Sequence, residues 1–278
     1  MAYKQIHLHL STHPVPTSLG AIDYACALAD LFEAKLNATS PRVAIKTPVH
    51  WHSGHMMVEL AREIEAISSA KAGALEAYLT RQASALGVAA KIIHTAEQWP
   101  TGQHDSVCHG RTSDLCVLGL SQKGADQKHS VEEWLFGAGR PCLLFPDSFS
   151  QGFSLERVLI SWDFSRSAAR AVCDALPMLR RAKQVRFVTV RGEKDIPLDD
   201  VKTPLIDFLA AHGVAAVADE IDAQGMPIGG TIIEHARGVQ TSLLIMGAFG
   251  HSRLKEFVLG GATREMLDIA DIPLLMSH

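Results

Sequence analysis

No apolar run in this 278-residue sequence approaches the roughly 18–20 residues needed to cross a bilayer, which excludes a helical membrane span. Neither sign of charge is in large excess: 26 Lys and Arg face 30 Asp and Glu, for a net charge of -4. A chain without a continuous positive field is neither a general nucleic-acid binder nor a polybasic membrane-surface protein. There is no Cys-x-x-Cys pair, and the five cysteines (Cys26, Cys108, Cys116, Cys142, Cys173) are odd in number and scattered. They read as reduced, mostly buried thiols of a cytoplasmic protein. The opening Met1-Ala-Tyr-Lys-Gln-Ile-His7 alternates polar and apolar residues and has no apolar signal core, so no export is expected. Also missing are Gly-x4-Gly-Lys-Ser/Thr and Gly-x-Ser-x-Gly, which removes the P-loop route to ATP hydrolysis and the exposed nucleophile of a serine hydrolase. What is present is ordinary globular composition, 47% hydrophobic and 20% charged, at a length that suits two domains.

An internal repeat organises the chain. Ser113-Asp-Leu-Cys-Val-Leu-Gly-Leu-Ser121 is similar to Thr241-Ser-Leu-Leu-Ile-Met-Gly-Ala-Phe249. Each is followed by a stretch with an aromatic, Glu132-Glu-Trp-Leu-Phe136 and Lys255-Glu-Phe-Val-Leu259. Each half then ends on an apolar run after proline, Pro141-Cys-Leu-Leu-Phe145 and Pro273-Leu-Leu-Met276. The openings match as well: Lys4-Gln-Ile-His-Leu-His-Leu10 against Glu156-Arg-Val-Leu-Ile-Ser-Trp162. A repeat at about 140 residues is a duplicated domain and not a solenoid. The polar, turn-rich Pro146-Asp-Ser-Phe-Ser-Gln-Gly-Phe-Ser154 reads as the linker, giving domains over 1–148 and 154–278.

In the second half, strands and helices alternate. Strands are expected at Arg157–Trp162, Gln184–Val190, Ala215–Ile221, Leu243–Met246 and Pro273–Met276. Helices are expected from an N-cap at Ser165 to about Arg181, over Asp200–His212 with Gly213 as its stop, around Gly230–Arg237, and from near Gly260. The first half shows a long helix over about Met56–Leu86 stopped by Gly87, and strands at Ala90–His94 and Leu115–Leu120. This alternation predicts two tandem doubly wound, Rossmann-like α/β domains, each with a mostly parallel five-stranded sheet.

In such sheets ligands sit beyond the carboxyl ends of the strands. There the second half carries Met246-Gly-Ala-Phe-Gly250 and then Gly260-Gly-Ala-Thr263 at a helix start. Gly247 and Gly250 let backbone approach a ligand, and Gly260 and Gly261 offer amides at a helix N-terminus, a setting for phosphate. His251, Ser252, Arg253 and Lys255 lie between them.

This Gly-x2-Gly-x9-Gly pattern after a strand resembles the universal stress protein family in its tandem form, most closely over 157–278. The resemblance implies an ATP site in the C-terminal domain, with Mg²⁺ accompanying the nucleotide. Gly247, Gly250 and Gly260 match the family's glycines, and Ala262 and Thr263 follow in the same helix turn. Gly261 stands where the family has Ser or Thr, so one phosphate hydrogen bond worth about 1–2 kcal/mol is missing. By the same resemblance Asp163 meets the ribose and adenine, the backbone of Val190 meets the adenine edge, and Met246 lines the pocket. The first half lacks Gly-x2-Gly after its fourth strand and an Asp after its first, so it is expected to bind no nucleotide and to serve as structural partner. The implied protein is a cytoplasmic stress-response regulator, a homodimer or an intramolecular pseudo-dimer, with at most slow hydrolysis. The alternative is a nucleotide-free scaffold of the same fold.

Other groups point less far. Among fourteen histidines, His50, His52 and His55 have metal-binding chemistry but no Asp, Glu or Cys nearby to complete a set, so no metal is expected. His235 reads as a helix-surface or packed histidine and not a base, and the Trp134-Leu-Phe136 cluster as interface or core and not a base-stacking platform. Asp222, His212 and Ser242 could compose a triad on paper only, without a nucleophile elbow.

Overall fold

The computed structural model describes residues 2–45, 54–99, 102, 104–121, 126–191, 202–248 and 261–278. They form two compact units, Tyr3–Arg140 and Pro141–His278.

The first unit runs β1 (Gln5–His9), α1 (Leu19–Phe32), β2 (Lys35–Ile45), α2 (Gly54–Leu86), β3 (Ala90–Trp99), α3 (His104–Gly110), β4 (Leu115–Leu120) and α4 (Asp126–Gly137). Its strands are parallel in the order β3-β2-β1-β4. Ser18 caps α1, its hydroxyl accepting from the Ala21 amide at 3.3 Å. The long α2 stops at Gly87, whose φ of +70° suits only glycine without strain. Sequence periodicity gives no clear sign of β2, because Asn37, Ser40 and Pro41 interrupt its apolar pattern. Pro41 falls past Thr39, the last residue paired with β1, where one edge of β2 is open.

The second unit runs β5 (Cys142–Pro146), β6 (Arg157–Ser161), α5 (Arg166–Leu179), β7 (Gln184–Arg191), α6 (Lys202–Ala211), β8 (Ala216–Asp222), α7 (Ile228–Gly238), β9 (Leu243–Gly247), α8 (Gly261–Ile269) and β10 (Leu274–Ser277). Strands β10-β9-β6-β7-β8 are parallel neighbours in that order, the doubly wound arrangement the alternation predicts. Ten strands are described, the number expected. However, β5, read from sequence as the last strand of the first domain, belongs to the second unit and pairs antiparallel with β10 through Leu143↔Leu275. Its apolar run is buried throughout, which is what a strand covered on both faces requires. The compact boundary therefore falls before Pro141, ahead of the turn-rich linker.

Of the five cysteines, Cys26, Cys116 and Cys142 are buried as expected. Cys173 is exposed on α5 and Cys108 is half-buried, so "mostly buried" holds for three positions only. Among the described residues no helix is long and apolar enough to cross a membrane.

Side-chain parity assigns the helices to faces. In the first unit Thr95 and Glu97 of β3 point toward Ser106 of α3, and His7 and His9 of β1 lie against Trp134 of α4. On the opposite side Ser40 and Arg42 meet Glu76 of α2. Glu97 is only 8% exposed and accepts a hydrogen bond from the Ser106 hydroxyl. Burial foremost, then the neighbouring carboxylates Glu133 and Asp105, push its carboxyl up to about 7 against the pull of the Ser106 bond. The folded protein thus holds this proton to higher pH than the unfolded chain does. The stability so gained is complete below the ordinary glutamate range and is lost as pH rises through about 7. Glu97→Gln is expected to gain on the order of 3 kcal/mol over the parent between about pH 5 and about pH 9, read by denaturant unfolding. Parallel pH profiles for the two proteins would show that Glu97 does not titrate in this range.

Candidate functional site

The second unit's chain runs from β6 outward to β7 and β8, then returns to β9 and β10 on the other side of β6. The strand order therefore reverses between β6 and β9, and connections leave in opposite directions to open a crevice there. Ser161 is in register with Val188 on one side and Met246 on the other. The ladder to β7 continues one step further: the Trp162 amide donates to the Val188 carbonyl at 2.9 Å, and the Thr189 hydroxyl donates to the Trp162 carbonyl at 3.1 Å.

Residues in register share a face of the sheet. Arg186 and Val188 of β7 have the same parity, and Val188 is opposite Asp219. Asp219 in turn meets His235 of α7, Nε2 to Oδ2, at 3.0 Å, so this face lies under α7. Burial opposes the Asp219 charge, but hydrogen bonds from Arg186 at 2.7 and 2.5 Å and from His235 outweigh it and hold the carboxyl below its usual range. His235 is thus a packed partner, as expected. Helix α8 joins the same face. Both oxygens of its Glu265 accept amides at the start of α7, from Gly229 at 2.9 Å and Gly230 at 3.1 Å. The α7 N-cap, Pro227, makes no side-chain cap bond, so Glu265 takes that role.

Two of the residues singled out in the sequence lie on this face. Val190 follows Val188 by two and is 9% exposed; Met246 lies in the row of Ser161 and is 5% exposed. Asp163 lies two residues beyond Ser161, in the turn between β6 and α5. Its Oδ1 accepts the Ser165 amide at 3.0 Å, and Ser165 then caps α5 by accepting from the Ala168 amide at 3.1 Å. Asp163 therefore also shapes the turn, in which Phe164 adopts a φ of +60°.

Gly247 turns to the opposite face. A Cβ there would lie 2.4 Å from the Ala168 nitrogen and 2.5 Å from the Ser167 carbonyl carbon. The close approach that the sequence assigns to a ligand is, at this glycine, the approach of α5. At the first turn of α8, Gly261 is exposed with open space around a notional Cβ, Ala262 is half-buried and Thr263 is buried at 4% exposure. Gly250, His251, Ser252 and Gly260 lie outside the described residues. So do His50 and His52 and the side chain of His55.

Two polar atoms escape sequence reading. Trp162 Nε1 and Ser277 Oγ are buried without a hydrogen-bond partner among the described residues. Ser277 is in register with Gly247, and Trp162 continues the same row from β6. The only hint in the sequence is a pair of polar groups at strand ends that otherwise read as apolar core. Among the described residues no three His, Cys, Asp or Glu side chains gather as a metal set. The paper triad does not assemble: the Ser242 hydroxyl bonds the Arg157 backbone, and His212 Nδ1 faces Arg180 at 3.0 Å.

The corresponding crevice of the first unit is filled by its own side chains. By the repeat, His9 stands where Ser161 stands. His7 Nε2 and His9 Nδ1 lie 3.1 and 3.2 Å from the one Thr39 hydroxyl, and both rings pack on buried Trp134. Burial first, and a neighbouring histidine second, lower both imidazoles to about 3, so they stay neutral. Beyond β1, the Thr17 hydroxyl donates to the His9 carbonyl and accepts the Ser11 amide, closing the strand end.

The Gly247 contact generates a test. Gly247→Ala is expected to cost about 2–3 kcal/mol of second-unit stability, since the clash is with backbone. Thermal unfolding of the variant would check this, and an unchanged midpoint would show that α5 can back away.

Residues 154–278 match the universal stress protein family. Over the whole chain the fold is similar to that of a universal stress protein from Archaeoglobus fulgidus DSM 4304, at 16% identity and a TM-score of 0.70, covering 98% of this chain and 95% of that one. A protein from Pseudomonas aeruginosa UCBPP-PA14, described as a universal stress protein, is similar at 14% identity and a TM-score of 0.60, covering 99% and 93%. No curated protein sequence matches the chain. The second half of the chain therefore matches the universal stress protein family, and over its whole length the chain has the fold of these two full-length structures.

Proposed function

We propose that this chain is a cytoplasmic stress-response regulator that binds an adenine nucleotide, ATP with Mg²⁺, in the crevice of its second unit and turns it over slowly or not at all. The observation that carries the reading is the strand reversal between β6 and β9, with Val190 and Met246 on the face shared with α8 and Asp163 in the turn that leaves β6 there. In this reading the Asp163 carboxylate accepts from ribose hydroxyls and the Val190 backbone meets the adenine edge. The amides opening α8 at Gly261, Ala262 and Thr263, aligned with the helix dipole, would face the phosphates. Bound nucleotide would supply charge and a removable γ-phosphate as a signal. The chain supplies no P-loop lysine for rapid transfer. The first unit, with His7, His9 and Trp134 in the equivalent space, has a structural role.

A second reading, a nucleotide-free scaffold, is favoured by two particulars. Gly247 is required by α5 packing alone, and Gly261 lacks the hydroxyl that the family resemblance leads one to expect.

Calorimetric titration with ATP, ADP and AMP separates the two readings. One site per chain is expected. Asp163→Asn keeps an oxygen for the Ser165 amide while removing the charge, and should weaken binding by about tenfold without unfolding the domain. Gly261→Ser has room for its side chain and should tighten binding by about tenfold, by restoring one charge-assisted bond. Absence of heat in the parent and in Gly261→Ser alike would leave the scaffold reading standing.

A further inference from the structure

Helix α2 is 33 residues long, about 50 Å at 1.5 Å per residue. One side of it carries Ala61, Ser68, Ala72, Leu75, Leu79 and Ala83, all buried against its own unit. A second apolar row runs beside that one. Met57, Leu60, Ile64 and Ile67 recur at spacings of three and four, the heptad seam of a helix that pairs with another helix. Met57, Leu60 and Ile67 are 43%, 50% and 48% exposed. With Leu86, α2 holds four of the seven large apolar side chains that stand exposed among the described residues. The row continues through half-buried Lys71 and Tyr78 and exposed Ala74, and exposed Ala70 on its flank leaves room for a second backbone.

We propose that this outer face of α2 is a self-association surface, on which α2 of a second copy packs antiparallel, centred near Ala70. The charges beside the seam select both the occupant and its direction. Glu59 and Glu63, with Arg62 between them, are exposed in the first half of the helix, while half-buried Lys71 and exposed Arg81 lie in the second half. The Arg81 guanidinium is steadied over the Tyr78 ring at 4.9 Å. Parallel pairing would stack Glu63 on Glu63 and Lys71 on Lys71. Antiparallel pairing about Ala70 sets Glu59 of one copy opposite Arg81 of the other and turns Glu63 toward the stretch between Lys71 and Arg81 of the other, so the face is complementary to itself reversed. It also lays Leu60 and Ile67 across the small side chains of the partner's second half. This surface belongs to the first unit and is independent of whether the second unit binds nucleotide.

Sedimentation equilibrium of the full chain is expected to give a dimer. Leu60→Glu with Ile67→Glu should give a monomer with unchanged circular dichroism, because both side chains are exposed in the single chain. Glu59→Lys with Glu63→Lys should weaken association by about tenfold or more, and adding Lys71→Glu with Arg81→Glu should restore it. Direction is read by oxidative cross-linking in a background with Cys108 and Cys173 changed to Ser. Ala70→Cys should join two chains, whereas Leu60→Cys, about 30 Å from its copy in an antiparallel pair, should not. A monomeric parent, a dimer indifferent to both sets of variants, or cross-linking through Leu60→Cys as readily as through Ala70→Cys would each overturn the proposal.

Discussion

The arrangement at the carboxyl edge of the second sheet depends on how closely the first turn of α5 lies against the end of β9. Only a residue without a side chain at position 247 admits that approach, since any Cβ would be pressed into the backbone of Ser167 and Ala168. With α5 seated, Ser165 caps it and Asp163 forms the turn that delivers the cap.

The two units show how one topology is put to different uses by what fills the strand ends. Where the second unit has Ser161, a small residue beside an open reversal of strand order, the first has His9 with His7, Thr39 and Trp134 packed around it. Two neutral imidazoles share one hydroxyl, His7 Nδ1 is buried without a hydrogen-bond partner among the described residues, and burial keeps both rings neutral. The first unit departs from the second mainly by substitution at equivalent positions, while its parallel strand order is retained.

Much of this was legible in the sequence because it is written in local terms. The alternation of strands and helices, the cap at Ser165, the stops at Gly87 and Gly213, and the burial of Trp134 each depend on a few neighbouring residues. That Val190 and Met246 share a face follows from strand parity once the strands are identified. What escaped depends on partners far away in the chain. The reason for Gly247 is a helix some eighty positions earlier, and the reason for Gly229 and Gly230 is a carboxylate on α8. Strand β2 was hidden because Pro41 and Asn37 obscure its period, although its pairing with β3 extends beyond the end of β1. The attachment of β5 to the second unit was invisible for a similar cause: an apolar run records that it is buried, but not beside which neighbour.

Glu265 has a mechanical consequence. Its two oxygens hold the first amides of α7, and α7 holds His235 against Asp219, which grips Arg186 across β7 and β8. Helix α8 is therefore the input arm of a linkage whose output is the outer edge of the sheet. Any load that shifts the start of α8 must either uncap α7 or carry it along, so a displacement beginning at Gly261 would be felt at β8, several strands away.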